Sequence, residues 1–299
     1  MSETSFPLKD YMRLLRPANI ITAITDVLAG ISLSGIFFLD QSQLPLDIIA
    51  LLCLSTIGLY GGGIVFNDIF DAPLDRIERP ERPIPRGTIS IQAALLVGIV
   101  FFLIGLTAAF VANPVAGYLA FFIVLAALLY NKWGKHHAIL GPPNMGLCRG
   151  LNLLLGLSII PDQVFSMWYI AFVPILYIGA ITLISKGEVH GSSKTPLFIA
   201  AILYAIVVSA IGLLANYNQY FLLTATVLLA FSWMVYRPLW KAIKDSSGKN
   251  IRKAVKAGIL GLIIMNAGWA LASGAFSIAL IMLLMLPLTL WLGRFFAVT

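Results

Sequence analysis

Long apolar runs follow one another along almost the whole chain, and they restrict the fold more than any other feature. Each run is close to the ~20 residues with which an α-helix crosses a bilayer. The runs lack the alternation of apolar and polar residues that a transmembrane β-barrel requires. The sequence therefore predicts an all-α, polytopic membrane bundle of ten spans. They lie at 19–39, 46–66, 90–111, 115–131, 139–160, 166–185, 196–215, 219–237, 254–273 and 275–295.

The few basic residues are sorted between alternate loops. Nineteen of the 20 Lys and Arg residues lie near the two termini or around the loops after spans 2, 4, 6 and 8. The positive-inside rule places these loops and both termini in the cytoplasm, and we expect a bacterial inner membrane. The net charge of +7 then reflects topology and not a nucleic-acid partner. Residues 1–18 are expected to form an amphipathic segment on the cytoplasmic face of the bilayer.

The loop after span 2 concentrates charge in a chain that is only 11% charged. It reads NDIFDAPLDRIERPERPIPRG over residues 67–87. Asp68, Asp71 and Asp75 share one face if span 2 continues as a helix. Carboxylates suit Mg²⁺, which takes further ligands from water and substrate phosphates, and arginines bind phosphate oxygens bidentately. The alternative is a solvated loop in which the acids and arginines pair with each other.

This stretch resembles the first aspartate-rich motif of the UbiA superfamily of intramembrane prenyltransferases. The segment before span 1 also resembles that family, and the resemblance covers roughly residues 11–273. The matching residues are Arg16-Pro17 and Asn19, then Asn67-Asp68-x-x-Asp71-x-x-x-Asp75, and then Arg79-Pro80-x-Arg82-Pro83-Ile84-Pro85-x-Gly87-x-Ile89-Ser90.

The resemblance implies a nine-span bundle around a central cavity, here residues 19–273, followed by an extra C-terminal span within 274–299. Such proteins transfer a prenyl group from a polyprenyl diphosphate to a small acceptor, and Mg²⁺ joins the diphosphate to two aspartate-rich loops. The implied metal ligands are Asp68, Asp71 and Asp75, of which Asp68 and Asp71 are also assigned to catalysis. The implied diphosphate contacts are Asn67, Asp75, Arg79, Arg82 and Lys132. Lys135 lies in the same family position as Lys132, and the alternative for Lys132 is an anchor at the membrane interface.

The loop after span 6 departs from the family pattern. It reads SKGEVHG over 185–191 and keeps a single acid, Glu188. Glu188 and His190 are candidate bases, and Lys186 is a candidate diphosphate contact. The stretch resembles the EboC branch of the superfamily, which implies a polar or cyclitol-like metabolite. The alternative is a catalytically altered protein, or a non-enzymatic membrane carrier or scaffold of the same fold.

Two charged residues, Asp26 and Arg149, lie deep within predicted spans and far from their ends, where charge is costly and usually faces a cavity or a partner. Arg149 and Asn152 in span 5 are three residues apart, so they share a helix face and are predicted to bind substrate. Asn19 and Asp26 in span 1 are predicted to contribute to the same site. The alternative for Arg149 is a structural ion pair with Asp26. The acceptor and the prenyl chain length stay open.

Overall fold

The computed structural model describes residues 7–38, 44–137, 140–188 and 191–296, which form helices and connecting turns. Short 3₁₀ turns occur at Ile36–Phe38, Gly134–His136 and Trp168–Ala171. The α-helices are α1 (Pro7–Leu15), α2 (Pro17–Leu33), α3 (Leu46–Glu78), α4 (Ile91–Ala112), α5 (Pro114–Lys132), α6 (Gly141–Leu157), α7 (Pro161–Met167), α8 (Phe172–Ser185), α9 (Lys194–Tyr217), α10 (Phe221–Lys244), α11 (Gly248–Ala272) and α12 (Phe276–Phe295).

Most of these helices are suited to a membrane, which confirms the predicted all-α polytopic fold. Within the described ranges, eight helical stretches are long and apolar enough to cross a bilayer, where Pro161–Ser185, which includes α7 and α8, counts as one. The number is nine if the pair Leu8–Leu15 and Pro17–Leu33, bent by 44°, also counts as one span. A helix lies in each of the ten predicted runs. The count falls below ten because α2 and α6 have only 17 residues each.

Helix α3 continues well beyond its apolar run, as the spacing of the three aspartates requires. Its 33 residues extend for about 50 Å at 1.5 Å per residue, against a hydrocarbon core of about 30 Å. The helix passes through Pro73 and ends at Glu78. The glycine triplet at 61–63 does not interrupt it. A Cβ at Gly61 would lie 2.6 Å from the Phe101 ring, so this glycine allows α4 to approach closely.

Helices α2 and α6 cross at backbone contact. A Cβ at Gly30 would lie 2.0 Å from the Leu153 carbonyl oxygen, and a Cβ at Gly156 would lie 2.0 Å from the Val27 carbonyl oxygen. Because glycine has no Cβ, the backbones of α2 and α6 approach each other more closely here than any larger side chain would permit. The crossing therefore brings the polar residues of the two helices together.

The first and last helices pack on this core. Helix α1 begins at Pro7, a residue favoured in a first turn, and its fully buried Leu14 packs in a small cluster with Val65 and Ala72 of α3. Residues 1–6 of the predicted amphipathic segment lie outside the described residues. Helix α12 contacts both α11 and α2. The division of the chain into a segment, a domain and an extra span stays a prediction.

Candidate active site

A cavity of about 460 Å³ lies between α2, α3, α5, α6, α8 and α11. Helix α3 forms one wall from Thr56 to Glu78, and Arg79, which follows the helix, continues it. This wall includes the end of α3 that carries the aspartates. Apolar side chains line much of the remaining wall, among them Leu59, Ile178 and Leu262. The cavity thus combines an apolar wall with a charged mouth at the C-terminal end of α3.

At this mouth the aspartates are paired with arginines. Asp68 and Asp75 are each 4% exposed. The Arg82 Nη1 group donates to Asp75 Oδ2 at 2.5 Å and lies 3.5 Å from Asp68 Oδ1, and Arg16 also donates to Asp68. The structure therefore shows the mutual pairing that was one alternative for this loop. The pairs are not solvated, however, because the side chains of Arg16 and Arg82 are only 14% and 16% exposed.

The third aspartate faces the cavity. Asp71 pairs with Lys135, and both residues line the wall. Asn67 lines it too, held by a 3.1 Å hydrogen bond from its Nδ2 to Asn131 Oδ1. Asn131 in turn donates to the Gly63 carbonyl at 3.0 Å, so α5 fixes the start of the motif.

The predicted second loop contributes one acid to the same mouth. Glu188 lines the cavity and is half-buried. Burial raises the pKa of the Glu188 carboxyl above its ordinary value of 4.5, while the guanidinium groups of Arg79 and Arg252 oppose that rise. Lys186 is exposed and is not among the lining residues. His190 lies outside the described residues.

Deeper in the bundle, Arg149 forms a buried ion pair with Asp26. The two side chains are 4% and 1% exposed, and Arg149 Nη1 lies 2.7 Å from Asp26 Oδ2. Arg149 Nη2 donates to Thr22 Oγ1 at 2.8 Å and to the Tyr60 hydroxyl at 3.1 Å. Its guanidinium also lies 4.7 Å from the centre of the Tyr60 ring. Arg149 is thus both a structural partner and part of the cavity wall.

Asn152 and Asn266 complete this polar cluster. Asn152 Nδ2 donates to Asp26 at 3.3 Å and to the Ala23 carbonyl at 2.9 Å, and its Oδ1 accepts from Thr56 at 2.8 Å. Asn266 of α11 donates to the other oxygen of Asp26 at 2.8 Å. Asp26 therefore binds three side chains and does not line the cavity, whereas Asn152 does. Asn19 also lines it.

The mouth carries oxygen donors of the kind that a divalent cation prefers. Within the described ranges, no group of three or more His, Cys, Asp or Glu side chains is gathered around one point. Asp71, Asp75 and Glu188 nevertheless all line the cavity. Their hard oxygens fit Mg²⁺, which usually binds one or two protein carboxylates and completes its shell with waters and substrate phosphates.

The structure places one predicted diphosphate contact, Lys132, away from the cavity and brings other residues to it. Lys132 is exposed, lies 4.4 Å from the centre of the Trp133 ring and is not among the lining residues, whereas Lys135 is. Arg16 enters the mouth from the junction of α1 and α2, where its φ of 48° lies in the left-handed region. In the sequence, the position of Arg16 directly before Pro17 was the signal that could have placed it at the site. Tyr60 lies in an apolar run, and no sequence pattern indicated its role.

The fold is that of a polytopic integral membrane protein. Its apolar cavity with a charged mouth suits an amphiphilic ligand. Residues 28–255 match the UbiA prenyltransferase family, and the chain belongs to that family. The family resemblance seen in the sequence is thereby confirmed.

Named relatives and solved structures agree with this assignment. A digeranylgeranylglyceryl phosphate synthase from Methanococcoides burtonii is 31% identical over 152 residues, which are 50% of this chain and 54% of that one. The alignment thus spans about half of that relative. A solved structure of a digeranylgeranylglyceryl phosphate synthase has a TM-score of 0.65 at 22% identity, covering 89% of this chain and 98% of the other. A UbiA homolog from Archaeoglobus fulgidus bound to GPP and Mg²⁺ has a TM-score of 0.63 at 18% identity, covering 88% and 99%.

Proposed function

We propose that this protein transfers a prenyl group from a polyprenyl diphosphate to a small acceptor within the membrane, with Mg²⁺ as cofactor. The observation that carries the proposal is one cavity with an apolar wall and a mouth in which carboxylates, arginines and a lysine meet. A prenyl diphosphate has the same division into an apolar chain and a polyanionic head. Membership of the UbiA prenyltransferase family supports this assignment.

The ion pairs at the mouth offer a way to bind the head group. Diphosphate oxygens can replace the carboxylates as partners of Arg82 and Lys135, since charge-assisted bonds to phosphate are as strong as those to carboxylate. Asp71 and Asp75 are then free to hold a cation. When bound there, Mg²⁺ supplies positive charge that lowers the energy of the departing diphosphate.

The chain's own residues assist the proposed reaction. Arg79 and Arg82 stabilise the negative charge that grows on the diphosphate as the allylic C–O bond breaks and its electron pair leaves with oxygen. The acceptor forms the new bond to the prenyl carbon and loses a proton. Glu188 is a candidate base, because its raised pKa brings it closer to the working pH. Leu59, Ile178 and Leu262 exclude water from the reacting carbon.

The acceptor is proposed to lie toward Arg149 and Asn152, at the polar end of the wall away from the diphosphate. Both residues line the cavity, and their mutual network with Asp26 and Tyr60 holds them in place. Two classes of acceptor are candidates. The resemblance of residues 185–191 to the EboC branch supports a polar metabolite, and the name of the relatives supports a glyceryl phosphate.

The charged mouth is proposed to face the cytoplasm of a bacterial inner membrane. The support is the sorting of 19 of the 20 basic residues to one set of loops and to both termini.

A second candidate function is a non-enzymatic carrier or scaffold of the same fold for an isoprenoid-linked or polar metabolite. Two observations favour it. Each motif aspartate already has a basic partner, and the second loop supplies one acid, Glu188.

To test the proposal, isotopically labelled prenyl diphosphate is added to membranes with and without the protein, and the lipids are then analysed by mass spectrometry. A labelled prenyl product is expected for wild type and for the exposed control Asp47→Ala, and none for Asp68→Ala or Asp71→Ala. Undiminished product from both variants would remove the metal assignment. Mg²⁺-dependent diphosphate binding without product, across a broad panel of acceptors, would favour the carrier.

A further inference from the structure

A second hollow, of about 170 Å³, lies between the end of α10 and the start of α11. Its lining is Arg237, Pro238, Lys241, Asn250 and Lys253, none of which lines the large cavity. We call it the α10–α11 groove. Arg237 and Lys241 are four residues apart and so lie on one face of α10. The groove is therefore built from two neighbouring helices.

The groove carries uncompensated positive charge. Arg237, Lys241 and Lys253 are all exposed. Among the residues that the structure describes, none of the three forms an ion pair with a carboxylate. Asp245 lies close in sequence, but its Oδ2 accepts from Ser247 Oγ at 3.1 Å and from Asn250 Nδ2 at 2.8 Å. Three positive charges thus converge on one small hollow.

Two exposed tryptophans place the groove at the membrane boundary. Trp233 and Trp240 are 68% and 56% exposed on α10, a helix suited to span a membrane. The guanidinium of Arg237 lies 5.5 Å from the centre of the Trp233 ring, and Lys244 Nζ lies 5.6 Å from that of Trp240. Tryptophan is enriched where hydrocarbon meets the headgroups. The cations therefore lie at the depth of lipid phosphates.

We propose that the α10–α11 groove binds the phosphate headgroup of an anionic membrane lipid. Its volume is below the roughly 300–1,000 Å³ of small-molecule pockets, so it accommodates a headgroup and not a whole ligand. The lipid tails have an apolar surface to follow along α10, where Leu229 is 72% exposed. Basic hollows between helices at the headgroup level attract anionic lipids, at about 1 kcal/mol for each Lys or Arg near the surface.

The groove differs in chemistry from the cavity mouth. Among the described residues that line the groove, none is a carboxylate, so these residues offer no acidic ligand for Mg²⁺. It therefore suits a phosphodiester that needs no cation. The proposal is independent of the proposed prenyl transfer and holds whether or not that activity is found.

The test compares lipid binding in nanodiscs that contain equal amounts of phosphatidylglycerol and phosphatidylcholine. Native mass spectrometry counts the lipids that stay bound after release. The variant is Arg237→Gln/Lys241→Gln/Lys253→Gln, and the matched control removes three exposed charges that lie outside α10 and α11, as Lys9→Gln/Arg86→Gln/Arg294→Gln. The retained ratio of anionic to neutral lipid is expected to fall about 10²-fold in the variant, as the loss of three basic residues implies, and less than about twofold in the control.

Other results would overturn the proposal. An unchanged ratio in the variant removes the site, and an equal fall in both proteins assigns the preference to overall charge. Displacement of the lipid by millimolar inorganic phosphate would make the groove a free-anion site. If the variant does not fold, a photoactivatable phosphatidylglycerol is cross-linked to wild type. Label confined to peptides within 229–253 supports the groove, and label spread along the chain contradicts it.

Discussion

The two basic clusters of this molecule are arranged in opposite ways. At the cavity mouth, Arg16, Arg82 and Lys135 are buried and each is paired with an aspartate. In the α10–α11 groove, Arg237 and Lys241 are exposed, and neither forms an ion pair with a carboxylate of the described chain.

The difference follows from solvation. A charge removed from water carries a penalty of several kcal/mol, on the order of the gain from its partner, so an unpaired arginine would not persist at the cavity mouth. Pairing also sets what each cluster can bind. The mouth must exchange carboxylates for a polyanion together with a cation, whereas the exposed groove can accept a phosphate directly.

The largest expected effect comes from Arg82→Leu, which removes one of the paired basic residues at the cavity mouth. The substitution leaves Asp75 without its 2.5 Å partner and removes a proposed diphosphate contact. We expect the rate of prenyl transfer to fall about 10²- to 10³-fold, as for loss of one group that stabilises developing charge. Arg82→Lys should recover part of the rate. The exposed control Arg294→Leu should retain it, and an equal loss in both leucine variants would contradict the assignment.

The next effect concerns the deep pair. Asp26→Ala leaves the Arg149 charge buried without its carboxylate, and removal of one partner of a buried pair costs about 3–5 kcal/mol. The midpoint of thermal unfolding in detergent should fall markedly, whereas the exposed Asp47→Ala should leave it unchanged. The double variant Asp26→Leu/Arg149→Met should recover much of the loss, because it removes both charges. Equal midpoints for the two alanine variants would show that the pair is not structural.

The smallest effect is a pH dependence at Glu188. Because burial raises its pKa in the folded protein, the protonated form is favoured by folding. Its stabilising contribution is full below pH 4.5, the ordinary value, and is lost as the pH rises through the raised value. The unfolding midpoint of wild type should therefore decline slightly over that interval. Glu188→Gln should lack this part of the decline, and Glu81→Gln, at an exposed site, should keep it.

Much of the fold could be predicted from sequence, since a helix lies in each of the ten apolar runs of about span length. The spacing of Asp68, Asp71 and Asp75 placed them on one face only if span 2 continued as a helix, and α3 does continue to Glu78. The patterns left open whether the acids bind arginines or only a ligand. That depends on Arg16, which is 52 residues from Asp68, and sequence spacing carries no information at such separations.

The deep site shows the same limit. The pair of Arg149 and Asp26 was an open alternative, because two charges within spans require partners. The sequence did not show that Arg149 also lines the cavity, or that Tyr60 and Asn266 join the network. These contacts depend on how α3 and α11 pack against α6 and α2, which the spacing of residues within one span does not reveal.

The central claim is that the mouth at the end of α3 binds a prenyl diphosphate together with Mg²⁺. The most direct measurement is isothermal titration calorimetry of the purified protein with a non-reactive prenyl thiodiphosphate. We expect binding that requires Mg²⁺, that is lost in Asp71→Ala and that persists in Lys9→Gln/Lys249→Gln/Arg294→Gln. Binding of equal strength without Mg²⁺, or in Asp71→Ala, would contradict the account.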